Sequence, residues 1–343
     1  MLLSICIPTY NRCFFLIDTL RDLFQQAISL GVEDEIEICI SNNASTDNTK
    51  DELEKLCSDF PQIRILVNQN KTNIGADKNF VKVLSMPSGK YSILKGDDDY
   101  FRPGGLKYLF EMLDENPSID FFISEVDIVN TKREFVQHVN YLREKEQLIV
   151  LFSNEIEARN YFALCESILP LGSFISGAVF KTEAVKGIDI DPQFIGTCYA
   201  FEYYFWKYLL AGHRLMYRSQ SYIQAVVGTS NEWGKGIARN AIDINAFGFI
   251  ADYFFINSSL RQDFKNVVNR MYKDYSYIPI DQRKDFKKKL YPALVKSNHP
   301  LAKQIKRRAS TFYLLSYVLF SLLPARFVYN IKAILKKSPC SKI

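Results

Sequence analysis

The sequence predicts an α/β fold: a mostly parallel central sheet flanked by helices, followed by a helical C-terminal region. Three observations predict it. Over the first 125 residues, short apolar runs alternate with segments whose apolar side chains recur at helical spacing. The links between them are short, and strand–helix alternation of that kind builds a parallel sheet covered on both faces. From about residue 238 onward the pattern turns mainly helical, with many Phe, Tyr and Asn residues.

Residues 2–7 read as the first strand, and Leu16, Leu20, Leu23, Phe24 and Ala27 share one face of the helix after it. Residues 36–40 form the second strand, followed from about Thr46 by a helix carrying Leu53, Leu56 and Cys57. The third strand is 63–67, with a helix near 77–84. The fourth is 91–94, after which Pro103 opens a helix containing Leu106, Leu109 and Met112; the fifth is 119–123. Residues 131–171 carry no clear period. Residues 172–230 are mixed, with a Gly172-Ser173-Phe174-Ile175-Ser176-Gly177 run and an aromatic stretch over 199–210.

The chain is long enough, at 343 residues, for one large domain or two smaller ones, and its 48% hydrophobic and 14% aromatic content argues against disorder over most of its length. Met1-Leu2-Leu3 leads straight into the first strand with neither a basic start nor a long apolar core, so no secretory signal is expected. The seven cysteines are scattered and form no C-x-x-C pair, which points away from a zinc site or disulfide framework and toward a reducing cytoplasm.

The net charge of +5 conceals an asymmetry: residues 286–343 hold thirteen Lys/Arg and no Asp or Glu, leaving 30 basic against 38 acidic side chains before them. Within that basic end, residues 312–323 are mostly apolar and end at Pro324. Twelve residues fall short of the roughly 20 needed to span a bilayer. Flanked by Lys306, Arg307, Arg308 and Arg326, the segment suits a helix lying on an anionic membrane surface; the plainer alternative is a core helix with a solvated basic tail. No nucleic-acid motif accompanies it, and no nucleic-acid partner is expected.

In a parallel sheet, ligands bind beyond the carboxyl ends of the strands. Here those ends carry Pro8-Thr9-Tyr10-Asn11-Arg12, Ser41-Asn42-Asn43-Ala44-Ser45-Thr46-Asp47, residues 68–75, and Asp97-Asp98-Asp99. Each segment alone resembles an ordinary turn. Three like charges at one strand exit repel one another, however, and a hard divalent cation with oxygen ligands relieves that repulsion. Four polar ends on one edge, the last acidic, read together as a nucleotide-diphosphate and metal site.

These four pieces resemble family 2 glycosyltransferases with the GT-A type nucleotide-sugar fold, specifically over the first 100 residues and more loosely to about 235. Within the family the chain looks most like bacterial members that build O-antigen, capsule or related surface glycans, abequosyltransferases among them. The resemblance implies a GT-A domain over 1–235, with a nucleotide-binding part at 1–125 and an acceptor part at 126–235, ahead of the helical region 236–343. It implies that Pro8, Thr9, Tyr10, Arg12, Asn42, Asn73, Asp97 and Asp98 line the nucleotide-sugar pocket, with Lys78 as a diphosphate contact or else a solvated helix lysine. In the family's DXD motif Asp99 would ligate Mg²⁺ or Mn²⁺, with Asp97 reaching the ribose or a metal-bound water. Asn42 stands where many members carry an aspartate that meets uracil. Because an amide both donates and accepts, the base stays open among UDP, CDP and others.

The family inverts the anomeric centre in one displacement, which requires a carboxylate to take the acceptor's proton. Members usually draw it from a Glu-Asp pair opening a helix; here Glu202 matches, but Tyr203 replaces the aspartate, with Asp189 and Asp191 as less favoured bases. Asn231 and Trp233 are implied as acceptor-side residues. The expected protein is a cytoplasmic enzyme, peripheral on the inner face of the membrane, acting on a glycan or lipid-linked glycan acceptor. Two other classes compete. A sugar nucleotidyltransferase would carry a Gly-rich N-terminal loop, whereas no glycine precedes Gly31. A non-catalytic carbohydrate-binding or scaffold protein could keep the fold and lack the base.

Overall fold

A computed structural model describes residues 1–228, 237–271, 286–296 and 302. The candidates Asn231 and Trp233 and the apolar segment 312–323 lie outside the described residues. The first half reads β1 (Leu3–Thr9), α1 (Cys13–Leu30), β2 (Ile36–Asn42), α2 (Thr49–Asp59), β3 (Arg64–Gln69), α3 (Ala76–Leu84), β4 (Tyr91–Leu94), β5 (Tyr100–Phe101), α4 (Gly105–Glu115) and β6 (Phe121–Ser124). Next come β7 (Val126–Val129), β8 (Phe135–Val139), β9 (Gln147–Leu151), α5 (Glu155–Leu164), β10 (Ala178–Lys181), α6 (Glu202–Leu210), β11 (Arg214–Arg218) and β12 (Ile223–Val226). Helices α7 (Ile237–Phe254), α8 (Leu260–Met271) and α9 (Tyr291–Lys296) complete the described chain.

Eight strands form the main sheet in the order β3-β2-β1-β4-β10-β6-β11-β9. The first four are mutually parallel. Strands β1, β2 and β4 are buried along nearly their whole length, as strands covered on both faces must be. The five predicted apolar helix positions of α1 are all buried, and Leu106, Leu109 and Met112 of α4 likewise. Register sets the site: Thr9 lies beside Asn42, and Cys6 beside Leu94, so the chain leaves β1, β2 and β4 at one edge.

The fifth predicted strand forms, but it does not pair with the fourth. Strand β10, from the mixed region 172–230, inserts between β4 and β6 and runs antiparallel to both. The sheet is therefore mixed. Strand β11 pairs parallel with β6, and β9 closes the far edge antiparallel. Two boundaries also move. Helix α2 starts at Thr49 rather than Thr46, because the Asp47 carboxylate accepts the Thr49 N–H at 3.1 Å and turns residues 46–48 into its entry. Helix α4 starts two residues after Pro103, where Gly104 takes φ 72°, and a Cβ on Gly105 would collide with the Tyr222 carbonyl.

A second sheet, β5-β12-β7-β8, stands beside the first and brings β12 toward the ligand edge. The aromatic stretch at 199–210 is core. Trp206 of α6 packs its ring 5.2 Å from Phe152, 5.5 Å from Phe255 and 5.1 Å from Phe264, and Phe162 of α5 lies 5.5 Å from Phe264. Such ring pairs contribute about 0.5–1.5 kcal/mol beyond burial, and they bind α7 and α8 to the sheet's helical cover. No helix among the described residues is long and apolar enough to cross a membrane.

Candidate active site

The loops after β1 and β2 clasp each other. Asn11 and Ala44 both adopt left-handed backbone, at φ 53° and 59°. The Asn11 side-chain oxygen accepts the Thr46 N–H at 2.7 Å, and the Asn11 N–H donates to Ser45 Oγ at 2.9 Å. Asp47 then receives the Cys13 N–H at 3.0 Å, joining the start of α1 to the start of α2. Burial raises the Asp47 pKa, but the Thr49 hydroxyl and these N–H groups outweigh it and hold the carboxyl below its ordinary range.

Past this clasp lies a cavity of about 670 Å³ at the carboxyl ends of the strands. Pro8, Thr9, Tyr10, Arg12, Asn73 and the triplet Asp97, Asp98 and Asp99 stand in its wall. The structure thus gathers eight of the sequence-predicted residues in one place. Asp97 accepts from Thr9 Oγ1 at 2.8 Å and from Arg12 Nε at 2.7 Å. Arg12 also pairs with Asp98, and Ser176 Oγ donates to Asp99 while accepting the Gly96 N–H at 2.9 Å. Burial is the largest influence on both flanking carboxyls, lifting Asp97 to about 6 against the opposing pull of Arg12, and Asp99 to about 7 with Asp98 adding to the rise.

The repulsion argued for the triplet is therefore partly answered by the protein. Arg12 supplies one positive charge. Lys95, 1% exposed, supplies another from beneath, donating to the Gly96 carbonyl at 2.9 Å; burial lowers its pKa and Asp99 pulls it back up. Two cations face three carboxylates, so the count is one positive charge short, while the raised pKa values of Asp97 and Asp99 come chiefly from burial. An all-oxygen donor set short of one countercharge fits a hard divalent cation.

A different group offers three ligand atoms within 4.8 Å of one another, namely Asp120, Glu183 and His213. It sits before β6, at the opposite strand ends. Asp120 is already met by Lys181 Nζ at 2.6 Å and by the Arg214 N–H at 2.8 Å, so we read it as an internal ion network.

Three expectations need correction. Asn42 is fully buried and turns its oxygen to the Ser45 N–H at 3.0 Å, with its Nδ2 unpartnered; the neighbour that faces the cavity is Asn43. Asn43 donates to Asn73 at 3.0 Å and accepts the Ile74 N–H at 2.9 Å, so side-chain amides build this part of the wall. Lys78 is exposed on α3 and stands outside the wall. Glu202 has no exposed surface: its carboxyl lies against Gly172, both carboxyl oxygens lack a hydrogen bond, and burial drives its pKa well above the ordinary range. The Trp206 N–H faces it and opposes that rise without forming an aligned bond. In this geometry the carboxyl reaches no ligand in the cavity. Of the less favoured bases, Asp191 caps its own turn and accepts from Tyr253, and neither it nor Asp189 stands in the wall.

Sequence reasoning missed the wall's second half. Asp77, 6% exposed on α3, accepts the backbone N–H groups of Gly196 at 2.7 Å, Cys198 at 2.9 Å and Ala200 at 3.2 Å. That clamp sets Cys198, Tyr199 and Phe201 into the cavity wall, beside Arg239 of α7.

The profile of glycosyl transferase family 2 matches residues 4–167. Abequosyltransferase RfbV of Salmonella typhimurium is 32% identical over 275 residues, 78% of this chain and 80% of that one. A Campylobacter jejuni GalNAc(5)-diNAcBac-PP-undecaprenol beta-1,3-glucosyltransferase is 27% identical over 158 residues, 45% of this chain and 49% of that one. Among solved structures, S. aureus TarS 1-349 in complex with UDP-GlcNAc superposes at a TM-score of 0.59 with 17% identity, over 87% of this chain and 80% of that one. A mannosyltransferase from Pyrobaculum calidifontis in complex with GDP-Man and Mn²⁺ reaches 0.51 with 13% identity, over 95% and 82%. These two share the fold. The clasped loops, the aspartate-lined cavity and the long match to RfbV have one meaning: this chain is a glycosyltransferase belonging to glycosyl transferase family 2.

Proposed function

We propose that the chain moves a sugar from a nucleoside-diphosphate sugar to a lipid-linked surface-glycan acceptor, by an inverting, divalent-metal-dependent displacement at the inner face of the membrane. The observation that carries this reading is the single cavity joining the clasped loops after β1 and β2 to the triplet after β4. Asp99 and Asp97 would hold Mg²⁺ or Mn²⁺, which when bound supplies Lewis-acid relief of charge on the departing diphosphate. Thr9 and Arg12 keep Asp97 aimed, Ser176 keeps Asp99 aimed, and Lys95 holds the local charge near balance from below. Tyr10, Asn43 and Asn73 face the nucleotide end.

As the bond to the diphosphate breaks, the sugar gains oxocarbenium character; an acceptor hydroxyl attacking from the opposite face inverts the centre and gives up its proton to a base as the new C–O bond forms. The only carboxylates in the described wall are Asp97, Asp98 and Asp99. Two features support a lipid-linked acceptor. The basic C-terminal segment suits an anionic surface, and one relative's name places its acceptor on undecaprenyl diphosphate. Asp99→Ala should abolish turnover of nucleotide sugar and remove Mn²⁺-dependent thermal stabilisation by nucleoside diphosphates. Wild-type turnover in that variant would defeat the metal assignment.

A further inference from the structure

The nucleotide reading leaves one charge unassigned. A diphosphate entering the cavity brings at least two negative charges to a wall that already holds three carboxylates. The described wall has two cations, Arg12 and Arg239. Arg12 is committed to Asp97 and Asp98, and Lys78 stands outside. Arg239 is paired as well, with the buried Asp243, but it engages none of the triplet and its side chain stays partly exposed in the wall. It projects from the first turn of α7, beyond the 4–167 stretch that matches the family profile, and a chain of contacts fixes its place.

The chain of contacts starts at Asp77, whose carboxylate gathers three backbone N–H groups and forces Gly196 to φ 98° and Cys198 to φ 66°. Tyr199 is thereby placed with its hydroxyl donating to Asp243 at 2.7 Å and accepting from Arg239 Nη2 at 2.5 Å. Arg239 Nε pairs with Asp243 at 2.9 Å, and the guanidinium lies 5.4 Å from the Tyr199 ring centre. Asp243 is buried while the Arg239 side chain keeps 34% of its surface exposed on the cavity side of the pair. An arginine held at Nε by a buried carboxylate and at Nη2 by a hydroxyl has the plane of its guanidinium fixed in advance, and the part left exposed in the wall brings a preoriented, always-charged donor group to phosphate oxygens.

We propose that Arg239 is the diphosphate-binding cation of this cavity, positioned by Asp243, Tyr199 and Asp77. This rests on the nucleotide-sugar reading above. The chemistry has two sources, the donor's diphosphate and a diphosphate carried by a lipid-linked acceptor, and one experiment separates them. Binding of UDP, CDP, UMP and CMP is titrated calorimetrically in Mn²⁺ buffer on wild type, Arg239→Gln and the double variant Arg239→Gln/Asp243→Asn. The double variant removes the uncompensated carboxylate that the single change leaves behind, so its melting temperature returns toward wild type. Inorganic diphosphate is then titrated into each protein, alone and saturated with nucleoside diphosphate.

If Arg239 holds the donor, the preference for diphosphate over monophosphate falls at least tenfold in both variants. If it holds the acceptor, that preference stays, while binding of inorganic diphosphate to the nucleotide-saturated protein is lost. Variants that match wild type in both titrations overturn the assignment. A wild-type chain that binds none of the four nucleotides refutes the proposed function instead; Arg239 is then judged by inorganic diphosphate alone, whose equal binding to all three proteins overturns it too.

Discussion

Asp77→Ala tests whether one buried carboxylate builds the cavity's second wall. The side chain is 6% exposed and accepts three backbone N–H groups from a segment more than a hundred residues away. Ala200 is buried, so its N–H loses a partner that water cannot replace, at a cost of about 1–3 kcal/mol. Gly196 is exposed and Cys198 half-buried, so water takes over part of their bonding, and each loss is about 0.5–1.5 kcal/mol. The sum is roughly 2–6 kcal/mol. At ~2–4 °C per kcal/mol for a domain of this size, the melting temperature should fall by about 10 °C.

The variant should also bind nucleoside diphosphate more weakly, because Cys198, Tyr199 and Arg239 all reach the cavity through this segment. Asp77→Asn keeps one acceptor oxygen but points an N–H₂ at a backbone N–H, so about half the stability loss is expected. Differential scanning calorimetry and nucleotide titration on the same samples read both effects. A melting temperature within 2 °C of wild type for Asp77→Ala would refute the clamp. A large drop with unchanged nucleotide affinity would refute its connection to the site.

His138 of β8 lies between Asp127, 2.7 Å from Nδ1, and Glu125, 2.5 Å from Nε2; burial lowers its pKa, but the two carboxylates outweigh that and raise it. Its stabilisation is therefore complete below the ordinary histidine value near ~6.5 and is lost as pH rises through the raised folded value. Urea melts of wild type should lose this contribution on going from pH 6 to pH 8 or above, and His138→Gln should flatten that part of the curve; an unchanged curve contradicts the bridge. Glu202 has a raised folded pKa, so it lowers stability as pH climbs above the ordinary carboxyl value. Glu202→Gln should be at least as stable as wild type at pH 8 and retain transfer within about threefold, since the carboxyl touches no ligand space. A hundredfold fall in kcat at unchanged KM would show that Glu202 reaches the acceptor during turnover and restore it as the base.

The nucleotide half of the cavity was legible because its signals are local. Strands β1, β2 and β4 are apolar runs, and parallel register brings whatever follows them to one edge. Reading Thr9, Arg12 and Asp97 as one site needed no knowledge of side-chain direction. Asn42 failed for that reason: strand-end neighbours point to opposite faces, and only the fold shows that 43 rather than 42 faces the cavity. Lys95 did carry a signal, a lysine closing a buried strand directly below three aspartates, but a lone lysine beside a turn reads equally well as solvated. Strand β10 is as short as β4, but it lies between two 3₁₀ turns and outside the strand–helix alternation that marked β4 as a strand.

Glu202 shows the opposite failure, a motif position matched by type and contradicted by surroundings. The seven residues after it include Tyr203, Tyr204, Phe205, Trp206 and Tyr208, and all five are buried. Apart from the exposed Lys207, α6 is apolar and buried around most of its circumference, so the aromatic density that made the stretch conspicuous already argued against an accessible carboxylate there. The second wall of the cavity rests instead on contacts between distant segments: Asp77 with 196–200, and Tyr199 with Arg239 and Asp243. The family profile ends at 167, before every partner in that set except Asp77. A nucleotide pocket encoded in short strand-end motifs can be shared widely, while a wall assembled from long-range pairs can change its ligand with few substitutions and no change of fold. Differences in sugar and acceptor between this chain and its relatives should therefore concentrate at 196–201 and along the first turns of α7, rather than at the strand ends that identify the family.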